Sequence, residues 1–203
     1  MPNLTDTTIL LANFYDKDGK QKKISIRNYY DYLNAKNKKD IANLVYHRLY
    51  SRYLKPFEFT DKKFNTEYRN GFAIMANCCL LIETLESFKN GWEDTLKLSE
   101  KAFEQFFTTD KFFTELKTFE SDFYKNVRCG ILHQGETLQS WKISRMYRKL
   151  FDPNTKTIDS LTFHFRLNKS LKEYCNNLQT EDWNSILWKR CRKKIGHIID
   201  NCR

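Results

Sequence analysis

Prolines and glycines are scarce in this sequence, with three prolines and six glycines among 203 residues. Because these two residue types interrupt helices most strongly, their scarcity leaves long stretches free to be helical. The sequence also has no internal repeat, low-complexity tract or linker. We therefore expect helices to dominate and one domain to span residues 1–203, since this length suits a single core better than two.

Signals for membrane insertion or export are also lacking. The start MPNLTDTT has no basic stretch followed by an apolar run, and no segment approaches the roughly 18 apolar residues of a membrane span. We expect a soluble, cytoplasmic protein that makes no membrane contact.

Closely spaced cysteine pairs are missing as well. Six cysteines occur at positions 78, 79, 129, 175, 191 and 202, but none forms a C-x-x-C pair, and several lie in segments predicted as buried helix. This pattern predicts reduced, structural cysteines and neither disulfides nor a metal site. No Gly-rich phosphate loop is present, and we expect no cofactor.

What the sequence has is positive charge and aromatic residues. Thirty-five Lys and Arg face 25 Asp and Glu, a formal net charge of +10, and Phe, Tyr and Trp make up 15% of the chain. The aromatic residues supply enough apolar surface for a folded core. The charge makes a polyanion such as RNA a plausible partner, and an acidic protein surface is the alternative.

Helical periodicity recurs along the first 138 residues. Residues 9–26 fit either a small hairpin or an irregular arm, Ser25 suits the cap of a short helix, and Asp40 begins another that Pro56 ends. The clearest pattern, from Asp61 to Phe88 with Phe64 and Tyr68 on its apolar face, predicts a long core helix. Further helices are predicted over 99–107, 111–119 and 122–132.

The pattern changes after Gln134. Residues 141–167 resemble two strands around a turn at 152–155, with His164 on the surface of the second strand. Thr180 then caps a basic helix, whose run 189–194 is either a solvated face or a contact for the RNA backbone. The predicted fold class is all-α: an up-and-down helical bundle over 40–138, with a small β-hairpin-like appendage and a C-terminal basic helix within 139–203.

One pair of residues could carry chemistry. Cleavage of RNA without a metal needs a group that moves protons near neutral pH and a fixed positive charge for the phosphate oxygens, roles that suit His and Arg. Arg128 and His133 lie five positions apart, about 140° around an ideal helix. The spacing is not specific, because Arg192 and His197 share it. The surroundings differ, since Arg128 lies in an otherwise apolar helix and Arg192 in a basic face.

The segment FYKNVRCGILHQGE around this pair resembles the motif of the HEPN superfamily over about 15 residues. The resemblance implies an up-and-down helical bundle of HEPN type, commonly a homodimer, that acts as a metal-independent endoribonuclease in toxin or phage-defence systems, with an antitoxin protein as a further partner. It implies that Arg128 binds the scissile phosphate, that His133 acts as acid or base, and that the two pairs of a dimer share one cleft. Cys129 departs from the motif, where Asn, Asp or His is usual.

Other residues are candidates for supporting roles. Glu83 is predicted to be a buried carboxylate paired with Arg128, either as a structural salt bridge or as part of the site, and Asn77 invites the same interpretation. Lys125 and Asn126 either contact RNA or form a solvated face. The alternative function is a noncatalytic helical module that binds RNA or protein. The enzyme hypothesis predicts Arg128 and His133 exposed together in a basic cleft; a structural role predicts both buried and paired.

Overall fold

The computed structural model describes residues 6–58, 67–146 and 148–202. The chain divides into two compact units. The first comprises Met1–Arg52, Ser87–Asp94 and Leu171–Arg203, and the second comprises Tyr53–Glu86 and Thr95–Ser170. The single domain over 1–203 stays a prediction.

The predicted all-α bundle is wrong. The structure is 61% helical, and its described residues form seven helices and five strands in two small sheets, a mixed α/β arrangement dominated by helix. The physical reason is that the turns at 16–19 and 152–155 pair the short segments on either side of them as antiparallel strands. These sheets are part of the two units.

A hairpin opens the first unit. Strands β1 (Leu10–Tyr15) and β2 (Gln21–Ser25) pair antiparallel around a turn in which Asp16 Oδ1 accepts hydrogen bonds from the amides of Asp18 at 3.0 Å and Lys20 at 2.9 Å. Gly19 provides the positive φ of 73° that this turn requires. Of the two alternatives for this segment, the hairpin is the one observed.

Three helices of the first unit are α1 (Ile26–Asn34), α2 (Lys38–Tyr53) and the last helix, Ile186–Asp200. Ser25 caps α1 through a capping box with Asn28, as predicted. The predicted cap at Thr180 is wrong, because the last helix starts at Ser185, whose hydroxyl accepts from the Trp188 amide. Its buried residues are spaced three or four apart, so one face enters the core: Trp188, Cys191, Ile195 and Ile199.

The second unit contains most of helix α3 (Gly71–Asn90), together with α4 (Ser99–Thr109). Residues 61–66 of the predicted long helix, with Phe64, lie outside the described residues, and Tyr68 precedes α3 and is 54% exposed. Over 111–119, where a helix was predicted, the structure has only a single 3-10 turn at Thr114–Leu116, which follows Asp110 and its side-chain bond to the Phe112 amide.

Helix α3 is long and apolar enough to cross a membrane by length and composition alone, contrary to the sequence-based expectation. Its most apolar 18-residue window has a mean hydropathy of 1.3, and 67% of that window is buried in the structure. A mostly buried core helix passes the same test.

The next helix, α5, spans residues 120–134 and changes its winding in the middle. An α-helical turn at Glu120–Phe123 leads into a π-helical turn at Tyr124–Arg128, and Cys129–Gln134 is α-helical again. Phe123 anchors α5 in a cluster of rings, 4.9 Å from Phe107 and 5.7 Å from Phe103 between centroids. These aromatic contacts fix the helix that carries the candidate pair.

A three-stranded sheet follows α5. Strands β3 (Lys142–Ser144), β4 (Phe151–Asp152) and β5 (Thr157–Asp159) take the order β3-β5-β4, with β3 parallel and β4 antiparallel to β5. The predicted turn at 152–155 lies between β4 and β5.

The second predicted strand, around TFHFRL, is wrong because this segment belongs to helix α6 (Ser160–Thr180). Asp159 Oδ1 accepts the Thr162 amide at 2.9 Å and so caps the helix. Phe163 and Leu167 are buried one helical turn apart, a spacing that also fits strand alternation. The surface position predicted for His164 is wrong too, since His164 is buried with Nε2 3.0 Å from the Leu54 carbonyl oxygen. We label the last helix, Ile186–Asp200, α7.

Candidate functional site

Arg128 lies at the end of the π-helical turn of α5 and points toward α3. Its Nε donates a hydrogen bond to Glu83 Oε1 at 2.8 Å, and the two side chains are only 15% and 8% exposed. The structure therefore brings together the two residues that the sequence suggested as partners, 45 positions apart.

Glu83 is itself held by a residue that the sequence did not suggest. Thr95 donates its hydroxyl to Glu83 Oε2 at 2.8 Å, while Oε1 accepts from Arg128. Both carboxylate oxygens are thus hydrogen-bonded, which limits the cost of burying this charge.

Tyr124 forms a third contact with the guanidinium group. The Arg128 Cζ atom lies 5.6 Å from the centroid of the Tyr124 ring, within cation–π range. Burial raises the pKa of the Tyr124 phenol, a hydrogen bond with Ser99 opposes this, and interaction with Cys129 adds to it. Burial also disfavours the charged form of Arg128, but the hydrogen bond and the charge of Glu83 outweigh it and raise the Arg128 pKa. Arg128 is a permanent cation.

His133 lies one turn further along α5 and is exposed to solvent. Its Nε2 atom is 3.3 Å from Arg128 NH1. A guanidinium group can only donate, so this contact is a hydrogen bond only when Nε2 carries no proton and accepts. This distance is slightly longer than the usual range for a hydrogen bond.

Two glycines in this segment have structural roles. A Cβ on Gly130 would lie 2.5 Å from the carbonyl oxygen of Glu136, because the chain after α5 turns back across the helix, where the Leu138 amide donates to the Asn126 carbonyl at 2.8 Å. Gly135 has a φ of 73° and ends the helix in the left-handed conformation. Part of the resemblance in CGILHQG is therefore explained by backbone geometry alone.

The other predicted site residues on α5 are placed differently from one another. Asn126 is buried, and its amide donates to the Asp122 side chain at 2.6 Å, so it is not available to contact RNA. Lys125 is exposed, with Nζ 3.7 Å from Glu100. Cys129 is half-buried, and its sulfur interacts with Arg128 and Tyr124. Asn77 donates to the Ala73 carbonyl of its own helix at 2.9 Å.

A cavity beside the start of α5 is acidic. It has a volume of about 630 Å³, and its walls contain four carboxylates and Lys125: Glu100, Glu104, Glu120 and Asp122. The cavity beside Lys125 is therefore not the basic cleft that we expected around Arg128 and His133. Arg128 is mostly buried and paired, as a structural role predicts, whereas His133 is exposed, as the enzyme hypothesis predicts.

The basic run on α7 is largely engaged within the first unit. Arg190, Arg192 and Lys194 donate to the carbonyl oxygens of Lys89, Trp183 and Glu93 at 3.3, 2.8 and 2.7 Å. Arg192 also lies over the Trp183 ring at 4.6 Å. Lys189 and Lys193 are exposed. Arg192, the rival partner of His197, is therefore a helix-packing residue.

Comparisons with known proteins give no relative. Neither a protein family, nor a curated protein, nor a solved structure matches the chain. Among the residues that the structure describes, no group of three or more His, Cys, Asp or Glu side chains is arranged to hold a metal ion. The function therefore has to be argued from the side chains around Arg128.

Proposed function

We propose that this chain is an endoribonuclease of HEPN type that cleaves RNA with Arg128 and His133 and needs no metal ion. The observation that carries the proposal is the distance of 3.3 Å between Arg128 NH1 and His133 Nε2, with the guanidinium fixed from behind by Glu83. A fixed cation next to an exposed imidazole is the minimum that metal-independent phosphodiester cleavage requires.

Fixing Arg128 favours catalysis because the charge needs no reorganisation when the substrate arrives. The Nε atom of Arg128 is hydrogen-bonded to Glu83, and the Tyr124 ring lies against the guanidinium group. The NH1 atom is directed toward the exposed His133. A phosphate that replaces His133 as the partner of NH1 would gain a charge-assisted hydrogen bond and release the lone pair of Nε2. The substrate thereby frees the base.

The reaction that fits this arrangement is an internal transfer of the phosphodiester. His133 Nε2 takes the proton of the ribose 2′-hydroxyl while the 2′-oxygen forms a bond to phosphorus. The bond from phosphorus to the 5′-oxygen breaks, and that oxygen takes a proton from an imidazolium. Arg128 stabilises the negative charge on the non-bridging oxygens. The products are a 2′,3′-cyclic phosphate and a free 5′-hydroxyl, and the protons balance.

The proposal includes a homodimer, because one exposed imidazole cannot both accept the first proton and face the leaving oxygen on the opposite side of phosphorus. A second His133 from a partner subunit would supply the acid. A role as a toxin or phage-defence effector, with an antitoxin as binding partner, belongs to the same proposal and rests on the resemblance alone.

The second candidate function is a noncatalytic module that binds RNA or protein. One observation favours it: Arg128 is only 15% exposed and already has a carboxylate partner, which is how a structural salt bridge looks. Cys129 adds to this, since a thiol is a weak hydrogen-bond donor where the HEPN motif has a stronger polar group.

Incubation of purified protein with RNA in EDTA separates the two functions. The endoribonuclease should produce fragments whose 5′-hydroxyl ends a polynucleotide kinase labels directly, and whose 3′ ends carry the cyclic phosphate. The binding module should retain RNA on a filter in a salt-sensitive manner without shortening it. Fragments with 5′-phosphates would contradict the proposed chemistry.

A further inference from the structure

Two adjoining cavities lie around the loop that follows β3 in the second unit. Their volumes are about 570 Å³ and about 440 Å³, and both contain Ser144 and Met146 in their walls. We call the pair of cavities the β3 cleft. Its walls carry four basic side chains: Arg69 and Arg145 in the first cavity, and Arg148 and Lys149 in the second.

Two of these four positive charges, on Arg69 and Arg148, have no ion-pair partner among the described residues. Both side chains are exposed. The one carboxylate among the described wall residues is Asp152, which accepts from the Asn154 amide at 3.1 Å and the Thr155 hydroxyl at 2.9 Å in its own turn. The cleft therefore suits an anionic ligand.

Apolar side chains next to the charges indicate the kind of anion. Tyr68 is 54% exposed and Met146 is 63% exposed. The Tyr68 carbonyl accepts a hydrogen bond from Arg145 NH1, which ties the tyrosine to the cleft. An exposed tyrosine next in sequence to the exposed Arg69 supplies the two groups by which proteins bind single-stranded nucleic acid, a ring on which bases stack and a cation for the phosphates.

The cleft is held in shape by buried contacts. Asp159 is 1% exposed, and its Oδ2 accepts from the Met146 amide at 2.6 Å and from the Ser144 hydroxyl at 3.0 Å. The Thr162 hydroxyl donates to the Arg148 carbonyl at 2.9 Å. These bonds hold the backbone at Met146 and at Arg148, which lowers the cost of ordering these two residues when a ligand binds.

We propose that the β3 cleft binds a single-stranded segment of RNA, with phosphates on Arg69 and Arg148 and a base on Tyr68. Gly71 in its wall and Glu83 behind Arg128 are twelve residues apart on α3, or about 18 Å along the helix axis. The cleft would therefore bind nucleotides that lie at a distance from the phosphodiester bond that is cut. The choice of RNA rests on the proposed function; the binding mode rests on the cleft.

Fluorescence anisotropy with a labelled single-stranded oligouridylate in which every ribose is 2′-O-methylated tests this directly, because that strand lacks the attacking hydroxyl. The full chain is compared with Arg69→Gln/Arg148→Gln, with Arg69→Lys/Arg148→Lys, and with Lys189→Gln/Lys193→Gln, which removes two exposed charges from α7. Tyr68→Ala reports on stacking. Circular dichroism checks that each variant is folded.

We expect the Arg-to-Gln pair to weaken binding and to reduce the slope of log K against log salt by about 1.4, since each contact with a single strand contributes roughly 0.7. The Lys-for-Arg pair should keep most of the affinity, the α7 pair should bind like the wild type, and Tyr68→Ala should bind roughly tenfold more weakly. Equal losses in the α7 pair, unchanged binding in the Arg-to-Gln pair, or equally tight binding of polyglutamate would overturn the proposal. If the wild type cleaves RNA and the Arg-to-Gln pair binds as tightly as the wild type, the β3 cleft is not the binding site, but the proposed nuclease activity stands. If the Arg-to-Gln pair loses binding and the wild type cleaves no RNA, the nuclease proposal fails, but the cleft remains an RNA-binding site.

Discussion

Arg128 Nε and Glu83 Oε1 are 2.8 Å apart, and this pair links α5 to α3 at a place where both side chains are nearly excluded from solvent. Removing one member of such a pair leaves an uncompensated buried charge, which costs more than the intact pair contributes. Glu83 therefore determines where the guanidinium points, and in the proposed nuclease it would be a positioning residue.

Replacing Glu83 by Gln should destabilise the protein by about 2–4 kcal/mol, because Arg128 loses its counter-charge while the volume of the side chain is kept. In a Glu83→Gln variant that remains folded, we expect kcat for RNA to fall more than KM changes, since the misplaced cation no longer stabilises the transition state. Denaturant unfolding and steady-state kinetics measure the two effects. A change in KM alone would assign Arg128 to substrate binding.

Gly130 and Gly196 form a matched pair for testing the close approach over α5. An added Cβ would lie 2.5 Å from a backbone oxygen at Gly130 but has nothing within 4 Å at Gly196 in α7. We expect Gly130→Ala to cost about 1–3 kcal/mol through overpacking, and Gly196→Ala to stabilise by roughly 0.5–1 kcal/mol. Thermal unfolding of both variants gives the comparison, and equal effects would mean that the chain after Gly135 does not cross α5 as observed.

Substitutions of the neighbouring residues Asn126 and Lys125 should have different effects on stability. The Asn126 amide is buried against Asp122, so Asn126→Ala should destabilise by about 1–2 kcal/mol. Lys125 is 65% exposed and only 3.7 Å from a similarly exposed Glu100, so Lys125→Ala should leave the unfolding free energy within about 0.5 kcal/mol. The opposite ranking in urea denaturation would show that the π-helical turn is wound differently.

Asp159 predicts a pH dependence of stability. Burial alone would raise the pKa of this carboxyl, but hydrogen bonds from the Met146 and Thr162 amides and from hydroxyl groups outweigh it and lower the pKa. A carboxyl with a lowered pKa in the folded state stabilises fully above its unfolded value of about 3.9, and this contribution is lost as the pH falls through the folded value. We expect Asp159→Asn to be less stable at neutral pH and to lose less stability below about pH 4 than the wild type. If the acid-unfolding curves of the wild type and Asp159→Asn run parallel, Asp159 is not the source of the pH dependence of stability.

The sequence predicted local features well where a single interaction decides them. The cap at Ser25, the end of α2 before Pro56, and the pairing of Glu83 with Arg128 follow from side-chain chemistry. The pairing was predictable because a buried carboxylate in an apolar stretch of helix requires a partner.

Prediction from the sequence was wrong where two periodicities overlap. It was also wrong where contacts with distant segments decide the local structure. Phe163 and Leu167 fit both a strand and a helix, and the Asp159 cap that selects the helix was not recognised. The π-helical turn at Tyr124–Arg128 depends on packing of Phe123 among rings from other segments, and no local pattern predicts it. The sequence did not suggest Thr95 as a partner of Glu83 or Tyr124 as a neighbour of Arg128, although the four-residue interval from Tyr124 to Arg128 was a usable signal.

The central claim is that His133 carries out proton transfer in RNA cleavage, and the sequence contains its own control. The rate of RNA cleavage in EDTA should be measured for the wild type, for His133→Ala and for His197→Ala, which removes the histidine of the rival Arg192/His197 spacing. The proposal predicts that His133→Ala loses at least about a hundredfold in rate while His197→Ala cleaves like the wild type. Undiminished cleavage by His133→Ala would contradict it.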